Sequence, residues 1–365
     1  MSLLHQIALT LVPQVGAVTA KNLVRYCGSA EAVFRSKRPE LLRIPGIGSS
    51  IADALLAARP LALAERELLF LEQHQVEAVF YTDERYPVRL RQCYDCPALI
   101  FFKGSSTDLL AARRVVGIVG TRQPSESGKA LCEEIVEGLQ AYNVLVVSGL
   151  AFGIDVTAHR KAAALDIPNI GVLGHGLSSI YPSQHRSVAL RMVENGGLIS
   201  EYTSDTKPDR EHFPMRNRII AGMCDALVVV ETALSGGSMI SAQLAGQYGR
   251  EIFAVPGRVR DPKSAGCNRL IKNTSAKLME SAADLAVAMR WQEAGKPQVV
   301  QTQLFLDLSP EERLLLDLIR QQPEIAVDQL TVATRLSPGE LAAAILGLEF
   351  KGAVRTLPGK RYIVV

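Results

Sequence analysis

The chain has 365 residues, 48% hydrophobic and 21% charged, with a net charge of +3. That length exceeds what one hydrophobic core usually fills, so two or three domains of ordinary globular composition are expected. The longest apolar runs, such as 226–230, are too short to span a bilayer, and residues 1–10 lack a basic stretch leading into a long apolar one. The expectation is a cytoplasmic protein with no membrane segment and no signal peptide.

Six cysteines in a chain of this length do not suggest a disulfide framework. Cys93-x-x-Cys96 has no second pair at zinc-ribbon spacing, and structural zinc takes four ligands. Reduced thiols in a loop before Pro97, and no metal, are expected. Positive charge is unevenly spread. Residues 76–290 carry 24 basic and 22 acidic side chains, yet 207–277 alone hold 11 and six of these.

Residues 1–72 read as helical. Leu41-Leu-Arg-Ile-Pro-Gly-Ile-Gly48, followed by Ser49-Ser50 and the helix-forming run 51–58, reads as helix, hairpin and serine-capped helix. This resembles a helix-hairpin-helix motif, whose glycine amides can hold a phosphate at a helix N-terminus. A weaker copy, Val12-Pro-Gln-Val-Gly16 followed by helix 17–26, completes the likeness to a small SAM-like domain. Hairpins that only pack helices are the alternative, because only Arg43 and Arg59 lie near the better copy.

Residues 76–290 alternate β-branched runs with helical stretches. Strands are expected at 115–119, 144–147, 170–173, 226–230 and 252–255, each a continuous apolar run suited to a sheet covered on both faces. Four lead within about two residues into Gly120, Gly149, Gly174 and Gly257; the fifth reaches Gly236-Gly237 slightly later. In a parallel sheet these glycine loops converge on the edge where open α/β sheets bind ligands.

Residues 291–304 are polar, glutamine-rich and carry Pro297, as linkers do. Ser309-Pro-Glu-Glu then opens a capped helix. Helices at 327–334 and 337–351 and strands at 353–357 and 361–365, turned at Pro358-Gly-Lys, describe a winged helix at 305–365. The expected fold is therefore α/β. A Rossmann-like, doubly wound, mostly parallel sheet at 76–290 is flanked by the helical SAM-like (helix-hairpin-helix) domain and the C-terminal winged helix.

Gly120-Thr-Arg122, Ser148-Gly-Leu-Ala-Phe-Gly-Ile-Asp155 with His159, and Phe213-Pro-Met-Arg-Asn-Arg-Ile-Ile-Ala-Gly222 resemble successive signatures of the DprA/Smf (DNA-processing A) family. So do Val229-Val-Glu231, Gly237-Ser-Met-Ile240, Val255-Pro-Gly257 and Gly266-Cys-Asn268 with Leu270-Ile271. Seven motifs in order are highly specific. The resemblance implies a non-enzymatic recombination mediator of natural transformation that binds and protects incoming single-stranded DNA, forms a homodimer and delivers RecA recombinase. Displacement of single-stranded-DNA-binding protein is implied with it, and no cofactor is.

The residues suit that ligand, since single strands are held by cationic grooves with contacts to exposed base faces. Arg122 follows the first glycine turn at the ligand edge, where a guanidinium can grip a phosphate by two hydrogen bonds. Phe213, Arg216, Asn217 and Arg218 offer an aromatic ring, two guanidiniums and an amide within six residues. One arginine is expected to hold a phosphate and the other to pair internally, with Glu231 as the suggested partner. Gly120, Thr121, Ser148, Gly149, Gly153 and Gly237-Ser238 are expected to supply amides and hydroxyls. Lys207, Lys263 and Lys272 are expected on the outer rim. Asp155 and His159 read as a helix cap and a packed histidine rather than an acid–base pair.

Other chemistries fit poorly. Gly128-Lys129 lacks the first glycine of a P-loop (Gln123 stands there) and has Ala130 in place of the hydroxyl. Gly174-His-Gly176 has Ser179 where a dinucleotide fingerprint needs glycine. A nucleotide-releasing hydrolase of the lysine-decarboxylase-like group needs a Pro-Gly-Gly-x-Gly-Thr loop, but the comparable loop reads Leu234-Ser-Gly-Gly-Ser-Met. The third helix of the winged helix contains Ala342-Ala-Ala-Ile-Leu-Gly and few side chains able to read bases. A transcription regulator is thus disfavoured, a protein contact or feeble DNA binding is expected, and deletion of 305–365 is expected to leave most single-strand affinity.

Overall fold

The computed structural model describes residues 2–292, 308–322, 324–334, 336–357 and 360–364. Two compact units result, Met1–Ala294 and Gly295–Val365. The linker expected over 291–304 lies, from residue 293, outside the described residues, as do Pro358 and Gly359 of the expected turn.

The first unit opens with six helices, Leu3–Thr10, Ala17–Cys27, Ala30–Arg35, Arg38–Leu41, Ser49–Leu56 and Arg59–His74. Both expected hairpins are present. The better one turns at Gly46, whose φ of 84° suits glycine. The expected serine cap is corrected: Gly48 is the N-cap of Ser49–Leu56, no side chain caps it, and Ser49 is already helical. Leu23, Leu41 and Leu55 form the centre of a core that continues into Phe80, Leu99 and Phe101 of the sheet. The helical region is thereby packed onto one sheet edge. Buried Glu67 adds a polar anchor, accepting from the Ser204 amide at 2.9 Å and hydroxyl at 2.8 Å.

Nine strands form one sheet: β1 (Glu77–Phe80), β2 (Leu99–Gly104), β3 (Val115–Val119), β4 (Leu145–Ser148), β5 (Asn169–Leu173), β6 (Gly196–Ser200), β7 (Ala226–Val229), β8 (Glu251–Ala254) and β9 (Lys277–Leu278). Their order is β1-β2-β6-β5-β4-β3-β7-β8-β9. From β6 to β9 all pairs are parallel, and β1 and β2 add antiparallel at one edge. The five strands read from sequence are the central β3, β4, β5, β7 and β8. Helices cover both faces, so Val116, Ile118, Val146 and Val228 pack on one side and Val147, Ile170, Leu227 and Val229 on the other. Strand β6 begins Gly196-Gly197, where a Cβ would run into Asn169 O and the Phe102 ring. From β3 the chain builds outward to β4, β5 and β6, then returns to place β7 on the other side of β3. That reversal is the switch point at which such sheets form a crevice.

The second unit packs helices Pro310–Gln321, Val327–Thr334 and Pro338–Phe350 against a three-stranded sheet. Ser309 caps its helix reciprocally with Glu312, as expected. The two-residue strand Ile325–Ala326 pairs with Arg361–Val364 and was not expected; its length leaves no alternation to read. Leu315, Leu330, Leu341 and Leu348 form the core.

Candidate functional site

The loops following β3, β4, β5 and β7, with helix His212–Met223, enclose a cleft of about 770 Å³ at the switch point. That volume lies within the range of small-ligand sites. The loops after β3 and β7 are tied by the Thr121 amide, which donates to Glu231 O at 2.6 Å. Residues 120–122 and 236–238 both line the cleft. Among the predicted residues, Gly120, Thr121, Arg122, Phe213, Arg216, Asn217, Gly237 and Ser238 line the cleft.

Arg122 is exposed and makes no ion pair among the described residues. Its guanidinium lies 5.6 Å from the centroid of the Phe213 ring, a cation–π contact. Phe213 in turn lies 5.8 Å from the Tyr181 ring at 31°. Tyr181 is 50% and Phe152 46% exposed, and both line the cleft. Arg210, also exposed, supplies to the lining a second guanidinium without an ion pair among the described residues. Phe152, Tyr181 and Arg210 were not singled out from sequence. Two of them sit inside or near motifs read for their glycines and phenylalanine, and an aromatic left half-exposed is a property of packing.

Opposite them, helix Gly237–Gln247 begins with Gly236 as N-cap. Gly237 lines the cleft and a Cβ there would meet nothing within 4 Å, so a ligand can approach this helix N-terminus, which favours an anion. The Ser238 hydroxyl donates to Thr232 Oγ1 at 2.6 Å and fixes this turn. The Asn217 amide side chain has no hydrogen-bond partner among the described residues and is free for a ligand.

The cleft floor is buried and charged. Arg216 is 4% exposed, donates to Val172 O, and leaves its Nε without a partner. Burial opposes its charge, and Asp155 supports it. Burial likewise raises the Asp155 carboxyl, against the pull of Arg216. The two side chains converge over Gly149, where a Cβ would strike both. Glycine there is required by close approach, not by ligand contact. Asp155 lies inside helix Ile154–Ala164, whose N-cap is Gly153, so the expected cap becomes a counter-charge for Arg216. His159 is packed as expected, with its ring nitrogens 2.9 Å from Asn169 Oδ1 and 2.7 Å from Gly149 O, and burial pushes it down to about 4.

Several expected residues stand elsewhere. Arg218 forms a partly buried ion pair with Glu201 and donates to Asp95 O at 2.9 Å, away from the cleft. Glu231, the suggested partner, instead accepts from the Ser125 amide at 2.9 Å. Ser148 is fully buried, and its hydroxyl donates to Ile118 O at 2.5 Å. Gly153 packs beneath residues 121–122 with φ of 82°. Lys207, Lys263 and Lys272 are exposed but do not line the cleft. Cys93 and Cys96 are buried free thiols, and among the described residues no group of three or more His, Cys, Asp or Glu could hold a metal. No described helix is long and apolar enough to cross a membrane.

Fold and cleft together define an α/β protein of the Rossmann-like class, with a helix-hairpin-helix region before it and a winged helix after it. Family models agree in each part. The model of DNA recombination-mediator protein A matches residues 77–290, that of the DprA winged helix domain 302–360, and that of the helix-hairpin-helix motif 7–57. The chain belongs to the DNA recombination-mediator protein A (DprA/Smf) family. It is 30% identical to Protein Smf of Synechocystis over 98% of both chains. Among solved structures it is similar to DNA processing protein A from Streptococcus pneumoniae, at 30% identity and a TM-score of 0.64, covering 80% of this chain and 99% of that one. It is also similar to the Helicobacter pylori DNA processing protein A described for its single-stranded DNA binding mode, at 27% identity and a TM-score of 0.54, covering 60% and 98%.

Proposed function

We propose that the switch-point cleft binds single-stranded DNA and that the protein is a non-catalytic recombination mediator. The observation that carries this reading is the pairing, across one cleft, of unpaired guanidiniums and half-exposed aromatic rings. Phosphates suit Arg122, Arg210 and the Gly237 amide, while unstacked bases suit Phe213, Tyr181 and Phe152. A duplex hides its base faces within the stack and gains nothing from the aromatic wall. Gly120, Thr121, Asn217 and Ser238 line the same cleft, and buried Arg216, with Asp155 as its counter-charge, forms the floor.

Protection of incoming strands, homodimerisation, and delivery of RecA past single-stranded-DNA-binding protein are proposed with it, supported by family membership and by relatives named as DNA processing proteins. They are tested by RecA assembly on strands precoated with single-stranded-DNA-binding protein. Faster nucleation with this protein, and none with Arg122→Ala, is expected; unaltered nucleation refutes the mediator role. Absence of catalysis is supported by the family being one of recombination mediators. Incubation with AMP and with labelled strands should release no base, nucleotide or fragment.

A further inference from the structure

Beside the cleft, the loop that follows β8 displays net positive charge with no ion pair among the described residues. Strand β8 pairs in parallel with β7, Val229 opposite Ala254. Its loop therefore leaves the same sheet edge one strand spacing, about 4.8 Å, beyond the β7 loop that walls the cleft. The return of this loop is bonded to that wall: the Gly266 amide donates to Thr232 O at 2.8 Å, and Thr232 lines the cleft.

Within the loop Arg258, Val259, Arg260 and Lys263 are exposed, and the three cations form no ion pair among the described residues. The single acid among them, Asp261, leaves the loop with a net charge of +2, and its Oδ1 accepts from the Lys263 amide at 2.9 Å. The loop is also braced. The Asn268 side chain accepts from the Gly257 amide at 3.1 Å and donates to the Gly257 carbonyl at 3.0 Å, while the Ser264 amide donates to Asp261 O at 3.1 Å. Val259 is 93% exposed. A braced loop holding three like charges around a bare apolar side chain incurs self-repulsion and apolar hydration without internal return.

We propose that the 257–263 loop is a second polynucleotide-binding segment, in which Arg258, Arg260 and Lys263 hold phosphates of the strand flanking the nucleotides seated in the cleft. This rests on the cleft being a single-strand site. A polymer entering the cleft must leave over a rim, and this rim carries the matching charge. Val259 offers a sugar or base an apolar contact between the two arginines. The cleft thus sets the anchor, and the loop makes affinity grow with strand length.

The test compares the unaltered chain with the Arg258→Ala, Arg260→Ala, Lys263→Ala triple variant. Both are titrated with labelled oligothymidylates of about four and about 16 nucleotides, the ends of the range of single-strand site sizes, across a salt series. The short strand should bind both proteins alike. The long strand should bind the unaltered chain more tightly, and the variant should lose that gain, its log–log salt slope flattening by about two units for three phosphates. All three side chains are exposed, so the melting temperature should hold, and Arg→Lys at 258 and 260 should restore the slope. A variant that matches the unaltered chain on the long strand overturns the proposal, because the charge then serves another partner such as an acidic protein. Equal losses on both lengths also overturn it. If the unaltered chain binds neither oligonucleotide, the cleft reading itself fails.

Discussion

Arg122→Ala isolates the cationic part of the cleft. The side chain is exposed, unpaired with any carboxylate among the described residues, and held only by its 5.6 Å contact over Phe213. An exposed cation–π contact contributes about 0.5–1 kcal/mol, so the variant should melt within a few degrees of the unaltered protein. Its effect on a bound strand is larger, since a hydrogen bond to a charged group is worth roughly tenfold in affinity or more. The loss should also depend on salt. One phosphate contact on a single strand contributes about 0.7 to the log–log slope, so between 50 and 200 mM salt the deficit should shrink by about 2.6-fold. Fluorescence anisotropy with a labelled oligonucleotide at four or five salt concentrations measures this directly. A deficit of the same size at every salt concentration would show that Arg122 shapes the cleft rather than holding a phosphate.

Arg218→Ala should behave in the opposite way. It strands Glu201, whose Oε1 is buried and has no partner, and should cost about 3 kcal/mol of stability by denaturant titration, with the salt slope of the folded fraction unchanged. Phe213→Leu keeps the apolar wall but removes the ring; it should weaken single-strand binding by roughly five- to a hundredfold at all salt concentrations, whereas Phe213→Tyr retains it. His159 sets an acid limit. Its folded value of about 4 lies below the unfolded 6.5, so the unfolded chain binds the extra proton first. The corresponding stability is full above pH 6.5 and is lost as pH falls toward 4, a loss of about 3 kcal/mol. Chemical denaturation at stepped pH should reveal it, and His159→Asn should flatten that step.

The sequence made the centre of the sheet legible and its margins much less so. Strands β3, β4, β5, β7 and β8 are buried on both faces and read as unbroken apolar runs ending in glycine. Strand β6 escaped because Gly196-Gly197 looks like a break, although glycine is what lets the strand approach Asn169 and Phe102. Strands β1, β2 and β9 lie at or near the edges, and β9 spans two residues. The site follows the same division. Arg122 could be placed because it follows a strand by a fixed short turn. Arg216 and Arg218 could not be assigned separately by composition. Two positions along a helix turn about 200°, which sends Arg216 under the cleft and Arg218 to Glu201. Ser148, Gly149 and Gly153 were recognised as special, but their chemistry is close packing beneath the loops. Phe152 sits inside a motif read for its glycines and Tyr181 in none, and only the folded chain brings both beside Phe213.

The central claim concerns a strand whose bases are free to meet the aromatic wall while guanidiniums and a helix N-terminus meet its phosphates. The most direct measurement is equilibrium binding of one labelled sequence, single-stranded and as duplex, over a common salt series. Preference for the single strand at every salt concentration is predicted, with a slope of about −2 to −3.5 for three to five phosphates. Equal or tighter binding of the duplex, or no binding of either at low ionic strength, would contradict it.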